Sequence, residues 1–127
     1  MALPPDTTIK EIFLTACERN DLQKVQLLLG FGVDVNWKRH VGACSSLHIA
    51  VSKNSGELLE LLLAQTGVDV NIRSNANVTP LMVACNRGHE NIVSRLCQFT
   101  DIQLNISGDN GGTALHWAVA VNRRYQG

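Results

Sequence analysis

Apolar residues recur along the chain at the spacing of an amphipathic helix. Leu22, Val25, Leu28 and Leu29 fall on one side of a helix and leave polar residues on the other. Two later segments carry the same kind of stripe, and no apolar run approaches the length of about 18 residues that a membrane span needs. The pattern therefore predicts short amphipathic helices and no transmembrane segment. The helices cover residues 22–29, 57–64 and 90–98.

A longer period is superimposed on the helical one. An alanine recurs every 34 residues, with a large apolar residue three positions before it and an asparagine or glycine four positions after it. A small residue at a fixed point lets neighbouring helices approach closely, and the large one fills the space between them. The chain is therefore predicted to be a run of similar units. The alanines are Ala16, Ala50, Ala84 and Ala118, the large residues are Phe13, Leu47, Leu81 and Leu115, and the third set is Asn20, Asn54, Gly88 and Asn122.

The asparagine or glycine of each unit predicts where a first helix ends, because these residues tolerate the positive φ of a helix-ending turn. The starts of these helices are marked as well. Thr8 followed by Glu11 has the spacing of a capping box, and Pro80 sits where a first helical residue is expected. Each unit is thus predicted to begin with a first helix, joined by a tight turn to the second. N-cap candidates for the later first helices are Ser45, Thr79 and Thr113.

The segment between units separates two kinds of helical repeat that share this period. Tetratricopeptide repeats and ankyrin repeats both fit a length of about 34 residues. After each second helix, apolar and polar residues alternate and Asn- and Gly-rich stretches follow, which predicts an extended hairpin and not a tight turn between helices. A tetratricopeptide unit has no room for such a segment. The alternating residues are 33–36 (VDVN), 68–71 (VDVN) and 102–105 (IQLN).

Residues 79–89, TPLMVACNRGH, resemble the signature of ankyrin repeats, and residues 45–50 and 113–118 are looser copies of it. The resemblance implies an all-α solenoid of stacked ankyrin repeats, each a helix-turn-helix followed by a β-hairpin or loop. The first unit departs from the signature at residues 11–14 (EIFL), as expected of a capping repeat with one side facing solvent. The predicted organisation is an N-terminal tail over 1–7, a capping repeat over 8–41, repeats over 42–75 and 76–109, and a truncated repeat over 110–127.

Net charge and cysteine content restrict the class of partner and the cellular compartment that the sequence predicts. The 11 Lys and Arg residues balance the 11 Asp and Glu residues, so no overall field draws the chain to nucleic acid or to an anionic membrane. The N-terminus has neither the basic start nor the apolar stretch of a signal peptide. Four cysteines without a CxxC motif favour reduced thiols and a cytoplasmic or nuclear location. We expect Cys17, Cys85 and Cys97 to be buried and Cys44 to be accessible.

The histidines do not form a metal or catalytic set. His48 and His116 each follow the large apolar residue, but positions separated by two repeats cannot share one ion at bonds of about 2 Å. The resemblance implies instead that each of them hydrogen-bonds a neighbouring loop. His40 and His89 have no cysteine or carboxylate at ligand spacing, and the Gly-rich stretch 108–112 lacks the lysine of a phosphate-binding loop. We therefore predict no catalytic residues, no metal and no cofactor.

The resemblance also implies a cupped shape, in which loops and first helices form a concave face that partners cross. Basic residues outnumber acidic ones on that face, whereas acidic residues dominate the second helices. This charge pattern predicts a protein partner that offers an acidic peptide or domain. Trp37 is expected at a loop tip as an anchor, and Trp117 is expected to pack. The predicted partner-binding residues are Trp37, Arg39, His40, Lys53, Arg73, Asn75, Asn77, Asn86, Arg87 and Asn110.

Further hypotheses stay open. The basic face could serve nucleic acid, although the neutral net charge and the few aromatic residues argue against it. The repeats could belong to a larger multidomain protein or enzyme, and the incomplete last repeat suggests self-association through its open side. Asn36, Asn71 and Asn105 are expected to tie successive loops together. By resemblance, Asn36 and Asn71 are also candidates for asparaginyl hydroxylation, since both retain the upstream leucine and aspartate that Asn105 lacks.

Overall fold

The computed structural model describes residues 6–40, 43–99 and 102, in which the helices come in pairs. We call these pairs units 1, 2 and 3, and the connections loop 1 (residues 31–45) and loop 2 (residues 64–79). None of the helices in the described ranges has both the length and the apolar content to cross a bilayer. Unit 1 holds α1 (Asp6–Glu18) and α2 (Leu22–Gly30), unit 2 holds α3 (Ser46–Ser52) and α4 (Gly56–Leu63), and unit 3 holds α5 (Pro80–Arg87) and α6 (Glu90–Cys97).

One turn geometry joins the two helices of every unit. Asn20, Asn54 and Gly88 have φ values of 55°, 54° and 72°, in the left-handed region that ends a helix. In each unit the following N–H donates to the carbonyl of the periodic alanine, over 2.9 Å in the first turn and 3.0 Å in the other two. This bond and the positive φ make up a Schellman motif. The helix ends predicted from the Asn and Gly column are confirmed, and Asn122 lies outside the described ranges.

The predicted starts of the first helices are confirmed in units 2 and 3. The Ser45 hydroxyl accepts the N–H of His48 at 3.4 Å, and the Thr79 hydroxyl accepts the N–H of Met82 at 3.3 Å. Pro80 is the first residue of α5, where its missing N–H costs no helical hydrogen bond. These capping interactions are local, which explains why the sequence pattern identified them.

Unit 1 begins differently. Helix α1 starts at Asp6 and runs through Thr8, so the capping box predicted for Thr8 and Glu11 is wrong. The Glu11 carboxylate instead accepts a hydrogen bond from Nε of Arg39 at 2.8 Å. Arg39 is 28 positions away in the chain, so local spacing could not reveal this partner. Thr113, the remaining N-cap candidate, lies outside the described ranges.

The core runs along the stack and does not surround one centre. The first helices pack on one another in order, α1 on α3 and α3 on α5, and α2 packs on α4. The alanines and large apolar residues of the 34-residue period are buried between them, which confirms the predicted run of like units and the all-α class. The buried members of these two columns are Phe13, Ala16, Leu47, Ala50, Leu81 and Ala84.

The cysteines follow the prediction with one exception. Cys17 and Cys85 are buried and Cys44 is exposed, but Cys97 is exposed as well, so the prediction of its burial is wrong. Cys97 is the last residue of α6, where the chain leaves the helix. Burial, with a smaller effect of the Glu18 charge, raises the pKa of Cys17 to about 12, and burial raises the pKa of Cys85 to about 11. Both residues therefore remain protonated packing thiols at neutral pH.

The connections between units are loops, with no strand in the described ranges. Val35 and Val70 are buried, whereas Asp34 and Asp69 are exposed and each accepts the N–H of the residue two positions later. The alternation of apolar and polar residues therefore reflects alternate burial in a tight loop and not a β-ladder. Loop 2 nevertheless closes like a hairpin, around a 3₁₀ turn at Asn75–Asn77.

Candidate partner-binding surface

Asn36 joins the two loops by bonds through its side-chain amide. Its Nδ2 donates to the carbonyl of Gly67 at 2.8 Å, and its Oδ1 accepts the N–H of Asp69 at 2.8 Å. The prediction that this asparagine ties successive loops together is confirmed. The N–H of Asn71 donates to Asp69 at 3.0 Å, which shapes loop 2 from within. Asn105 lies outside the described ranges.

His48 connects α3 to loop 2. Its Nδ1 accepts the N–H of Ser45 at 3.1 Å, so the proton is assigned to Nε2, which donates to the Val78 carbonyl at 2.8 Å. Burial lowers the pKa of His48 and the Lys38 charge lowers it further, against the opposing effect of the bond to Val78. The implied structural role is confirmed for this histidine, and His116 lies outside the described ranges. Within those ranges no group of His, Cys, Asp and Glu is placed to hold a metal ion.

Arg39, a predicted partner-binding residue, is bound to two carboxylates of α1. Its Nε donates to Glu11 and its Nη1 donates to Glu18, each at 2.8 Å. These hydrogen bonds raise the pKa of Arg39. Two carboxylates therefore balance the charge of Arg39, and this residue adds no free cation to the expected basic face.

Trp37 does not stand free at a loop tip. The side chain is half-buried and packs against the core, and Nζ of Lys10 lies 5.8 Å from the centre of its ring. A cation at this distance from a tryptophan face is favourable by about 0.5–1 kcal/mol at an exposed site. The expectation that Trp37 projects as a fingertip anchor is therefore corrected, because the ring is already occupied within the molecule.

A row of cations runs along the first helices instead. Arg19, Lys53 and Arg87 occupy the same position of successive units, 34 residues apart, at the C-terminal ends of α1, α3 and α5. All three are exposed, and none forms an ion pair with another residue in the described ranges. The 34-residue period that relates Arg19 to Lys53 and Arg87 was visible in the sequence. We call these three residues the cation row.

The remaining predicted residues lie on the surface without forming one cluster. Arg73, Asn75 and Asn77 are exposed in loop 2, and Nζ of Lys38 donates to the Arg73 carbonyl at 2.7 Å. This bond joins the middle of loop 1 to the middle of loop 2. His40 and Asn86 are exposed, and Asn110 lies outside the described ranges.

The second helices carry an ion pair that the sequence pattern did not indicate. The guanidinium of Arg95 on α6 binds both carboxylate oxygens of Glu60 on α4, at 2.6 and 3.0 Å. The same guanidinium lies 5.2 Å from the centre of the Phe99 ring. The residues are 35 positions apart, close to the repeat period, so that offset is the signal that could have found the pair.

Comparison with known proteins agrees with this architecture. A family profile described as ankyrin repeats in three copies matches residues 6–74 and 47–125. The chain belongs to the ankyrin-repeat family. The stack of helix pairs with intervening loops is therefore an ankyrin solenoid, and ankyrin repeats are in general protein-interaction modules.

Relatives of this chain include proteins of different kinds. It is 36% identical over 97 residues to human neurogenic locus notch homolog protein 2, covering 75% of this chain and 4% of that protein. It is 34% identical over 109 residues to the rice probable E3 ubiquitin-protein ligase XBOS32, covering 85% of this chain and 22% of that protein. It is 36% identical over 75 residues to the I-kappa-B like protein C2 of Microplitis demolitor bracovirus, covering 59% of this chain and 41% of that protein. The chain thus spans a minor part of each relative's length.

Proposed function

We propose that this ankyrin stack is a non-catalytic module that holds an acidic, extended segment of a partner protein across its first helices. The observation that carries the proposal is the cation row, Arg19, Lys53 and Arg87. Arg39 is bound by two carboxylates and Trp37 is packed against the core, so the row replaces them as the centre of the surface. The module would work by occupying a partner's surface, as a scaffold, adaptor or steric inhibitor.

The geometry of the stack specifies the partner's charge pattern. Packed helices lie about 8–10 Å apart, and an extended peptide advances about 3.3 Å per residue. A peptide that crosses α1, α3 and α5 would therefore meet one cation at about every third residue. Complementary charges of this kind speed association and fix register more than they increase affinity.

The carboxylates of unit 1 sharpen this specificity. Glu11 and Glu18 hold Arg39, so an acidic residue of the peptide that is displaced from Arg19 toward Arg39 meets negative charge. Like charges in contact disfavour the wrong register. Arg73, exposed on loop 2, is a further cation between units 2 and 3.

The test is a binding titration with three synthetic peptides of equal length and charge. One carries glutamate at every third residue, one carries it at every second residue, and one has all its glutamates together. We expect the first to bind most tightly. Neutralising the cation row by Arg19→Gln, Lys53→Gln and Arg87→Gln should weaken its binding at least tenfold, about 1.4 kcal/mol.

The matched control is Arg95→Gln, which removes a cation from α6 and leaves the first helices unchanged. We expect this variant to bind the first peptide as the wild type does. An equal loss in the control, or no preference among the three peptides at low salt, would contradict the proposal.

Nucleic acid is the second candidate, because the same cation row could bind phosphates. Channels for single strands combine cations with aromatic platforms on which bases stack, and Trp37 on this side of the molecule is packed against the core. A labelled single-stranded oligonucleotide should therefore bind less tightly than the first peptide. Tighter binding of the oligonucleotide, with a steep salt dependence, would favour the second candidate instead.

Two other expectations stay predictions. A cytoplasmic or nuclear location agrees with the four reduced cysteines. Hydroxylation of Asn36 would modify a side chain whose amide already makes two bonds between the loops, so we expect it to require local opening of loop 1. Mass spectrometry of the protein from its own cells would test Asn36 and Asn71 together.

A further inference from the structure

Among the residues whose burial the structure describes, the exposed large apolar side chains lie in unit 1 or directly after it. They are Ile12, Leu27 and Phe31, which are 38%, 61% and 69% exposed. The first unit was expected to turn a polar face to solvent, as a capping repeat does. An apolar cluster at the open side of a stack is instead typical of a surface that another molecule covers.

The repeat period shows which way these residues face. Ile12 corresponds to Ser46, which is buried and donates to the Val35 carbonyl in loop 1 of the preceding unit. Leu27 corresponds to Leu61, which is half-buried. Ser46 contacts loop 1, which precedes unit 2. Leu61 lines the groove that α4 shares with α2 of unit 1. The exposed apolar residues of unit 1 therefore occupy positions that point toward a preceding neighbour in the stack.

The groove between α2 and α4 shows which residues of α2 correspond to those of α4. Helix α4 and the residues just after it turn five side chains toward this groove, which has a volume of about 440 Å³. An open depression of about 500 Å³ lies on α2. It is lined by the five residues that precede those of the groove by 34 positions each. The residues of the first set are Glu57, Glu60, Leu61, Ala64 and Gln65, and those of the second are Gln23, Gln26, Leu27, Gly30 and Phe31.

The molecule itself shows what covers such a face. In the groove, α2 presents Gln26, Leu29 and Gly30 to α4. The face that covers the groove therefore carries one aliphatic side chain, Leu29, flanked by Gln26 and Gly30. The open depression has the same construction, so the surface that fits it is a helix of similar character.

Lys24 adds a charge requirement. It corresponds to Leu58 and Ile92, which are 0% and 3% exposed, whereas Lys24 is exposed. Lys24, Leu27 and Phe31 are spaced i, i+3 and i+7, so they form one stripe on α2. A helix that covers this stripe leaves the ammonium group unpaired unless it brings a carboxylate.

We infer that this stripe is a second docking surface, which binds a helix of a partner protein. The helix would carry an aliphatic residue beside a glycine or alanine, and an acidic residue placed to meet Lys24. The surface belongs to α2 and the residue after it, whereas the cation row belongs to the ends of the first helices. The stack could then hold two partners at once.

The test uses a stapled helical peptide that repeats the face of α2, with glutamine, leucine and glycine at the spacing of Gln26, Leu29 and Gly30 and a glutamate opposite Lys24. A second peptide has lysine in place of the glutamate. We expect amide resonances from Leu27 to Phe31 to shift with the acidic peptide, and the lysine peptide to bind at least tenfold more weakly. The double variant Leu27→Ser, Phe31→Ser should lose binding by at least tenfold.

The control is Asn91→Ser, on an exposed position of α6 outside both depressions. It should bind the acidic peptide normally, and unfolding curves of both variants confirm that they fold. The cation-row variants should bind this peptide as the wild type does, so failure here is separate from failure of the first proposal. A peptide concentration of about 1 mM detects binding with Kd values near 1 mM. If no resonance shifts at this concentration, the inference is overturned.

A second copy of the chain is the rival occupant. Sedimentation equilibrium of the wild type and of the double variant distinguishes the two cases. A monomeric wild type supports a helix from a different protein. A dimer that Leu27→Ser and Phe31→Ser convert to monomer overturns it, because the surface would then belong to self-association.

Discussion

Units 1 and 2 follow the same 34-residue plan but use matching positions differently. Leu14 is fully buried in unit 1, whereas the matching His48 of unit 2 extends to the Val78 carbonyl in loop 2. Ile12 is exposed, whereas the matching Ser46 is buried against loop 1. Both units hold similar helices, so the difference does not come from local structure. At Ile12 and Ser46 it comes from the neighbour that precedes unit 2, which unit 1 lacks within the described ranges. Leu14 and His48 differ in residue type instead, since a loop follows each of the two units.

The comparison therefore separates two properties of a repeat. The period fixes which way a side chain points, because both units share one turn geometry and one helix register. Whether that direction is core or surface depends on the adjacent unit. Substitutions at matching positions should reveal the difference as unequal losses of stability.

The largest difference is expected at the matching pair Leu58 and Lys24. Leu58→Ala leaves a cavity at a fully buried site and should lower the free energy of unfolding by about 2–5 kcal/mol. Lys24→Ala changes an exposed side chain and should stay within about 0.5 kcal/mol. Urea unfolding followed by circular dichroism measures both. Equal losses would mean that the surface of unit 1 around Lys24 is covered in solution, so that the two matching positions do not differ in burial.

The next effect concerns His48. His48→Leu copies the residue of unit 1 into unit 2 and removes the bonds to Ser45 and Val78. It should cost about 1–3 kcal/mol, because the buried Ser45 N–H loses its acceptor, whereas the Val78 carbonyl keeps the N–H of Ser74. A stabilising effect in urea unfolding would show that an apolar residue serves unit 2 as well as it serves unit 1.

The same variant has a pH signature. The folded protein holds the pKa of His48 below its ordinary value of 6.5, so the unfolded chain takes up a proton more readily as the pH falls. The contribution of His48 is therefore complete above about pH 6.5 and decreases below that value. The stability difference between wild type and His48→Leu should shrink between pH 7 and pH 5, and a difference that grows on acidification would contradict this assignment.

A smaller contrast is expected at the turns. Asn54→Ala places a Cβ without a helpful side chain at a φ of 54° and should cost about 1–2 kcal/mol, whereas Asn54→Gly should cost little. Asn20→Gly should cost more than Asn54→Gly, by about 0.5–1.5 kcal/mol, because Oδ1 of Asn20 accepts the Ser55 hydroxyl at 2.9 Å. Thermal unfolding of the three variants gives the ranking. Equal losses for the two glycine variants would remove the role assigned to the bond between turns.

The smallest effect is expected for Arg39. Its side chain is 36% exposed, so Arg39→Gln should cost no more than about 1 kcal/mol despite two ion pairs. The loss should diminish in about 1 M salt, where charges are screened within about 3 Å. A larger loss that salt does not change would show that Arg39 packs loop 1 onto α1 chiefly through its apolar stem.

The amino-acid sequence by itself determined the period, the turns and the helix caps of units 2 and 3. The turns and caps depend on residues a few positions apart: an asparagine or glycine at positive φ, and Ser45 or Thr79 before a helix. Local preferences of this kind hold in every unit whatever its neighbours. The sequence also indicated Asn36 and His48 as structural, because they recur in the plan of a known repeat family.

Only the tertiary structure decided which side chains remain available on the surface. Arg39 and Trp37 were predicted as free binding residues, but Glu11, Glu18 and Lys10 on α1 engage them. The exposed Leu27 and Phe31 lie outside the apolar stripe of Leu22, Val25, Leu28 and Leu29, and only the structure shows what surrounds them. Contacts across a stack join residues about 20–35 positions apart, and their distances depend on loop conformation and helix packing that no local pattern encodes.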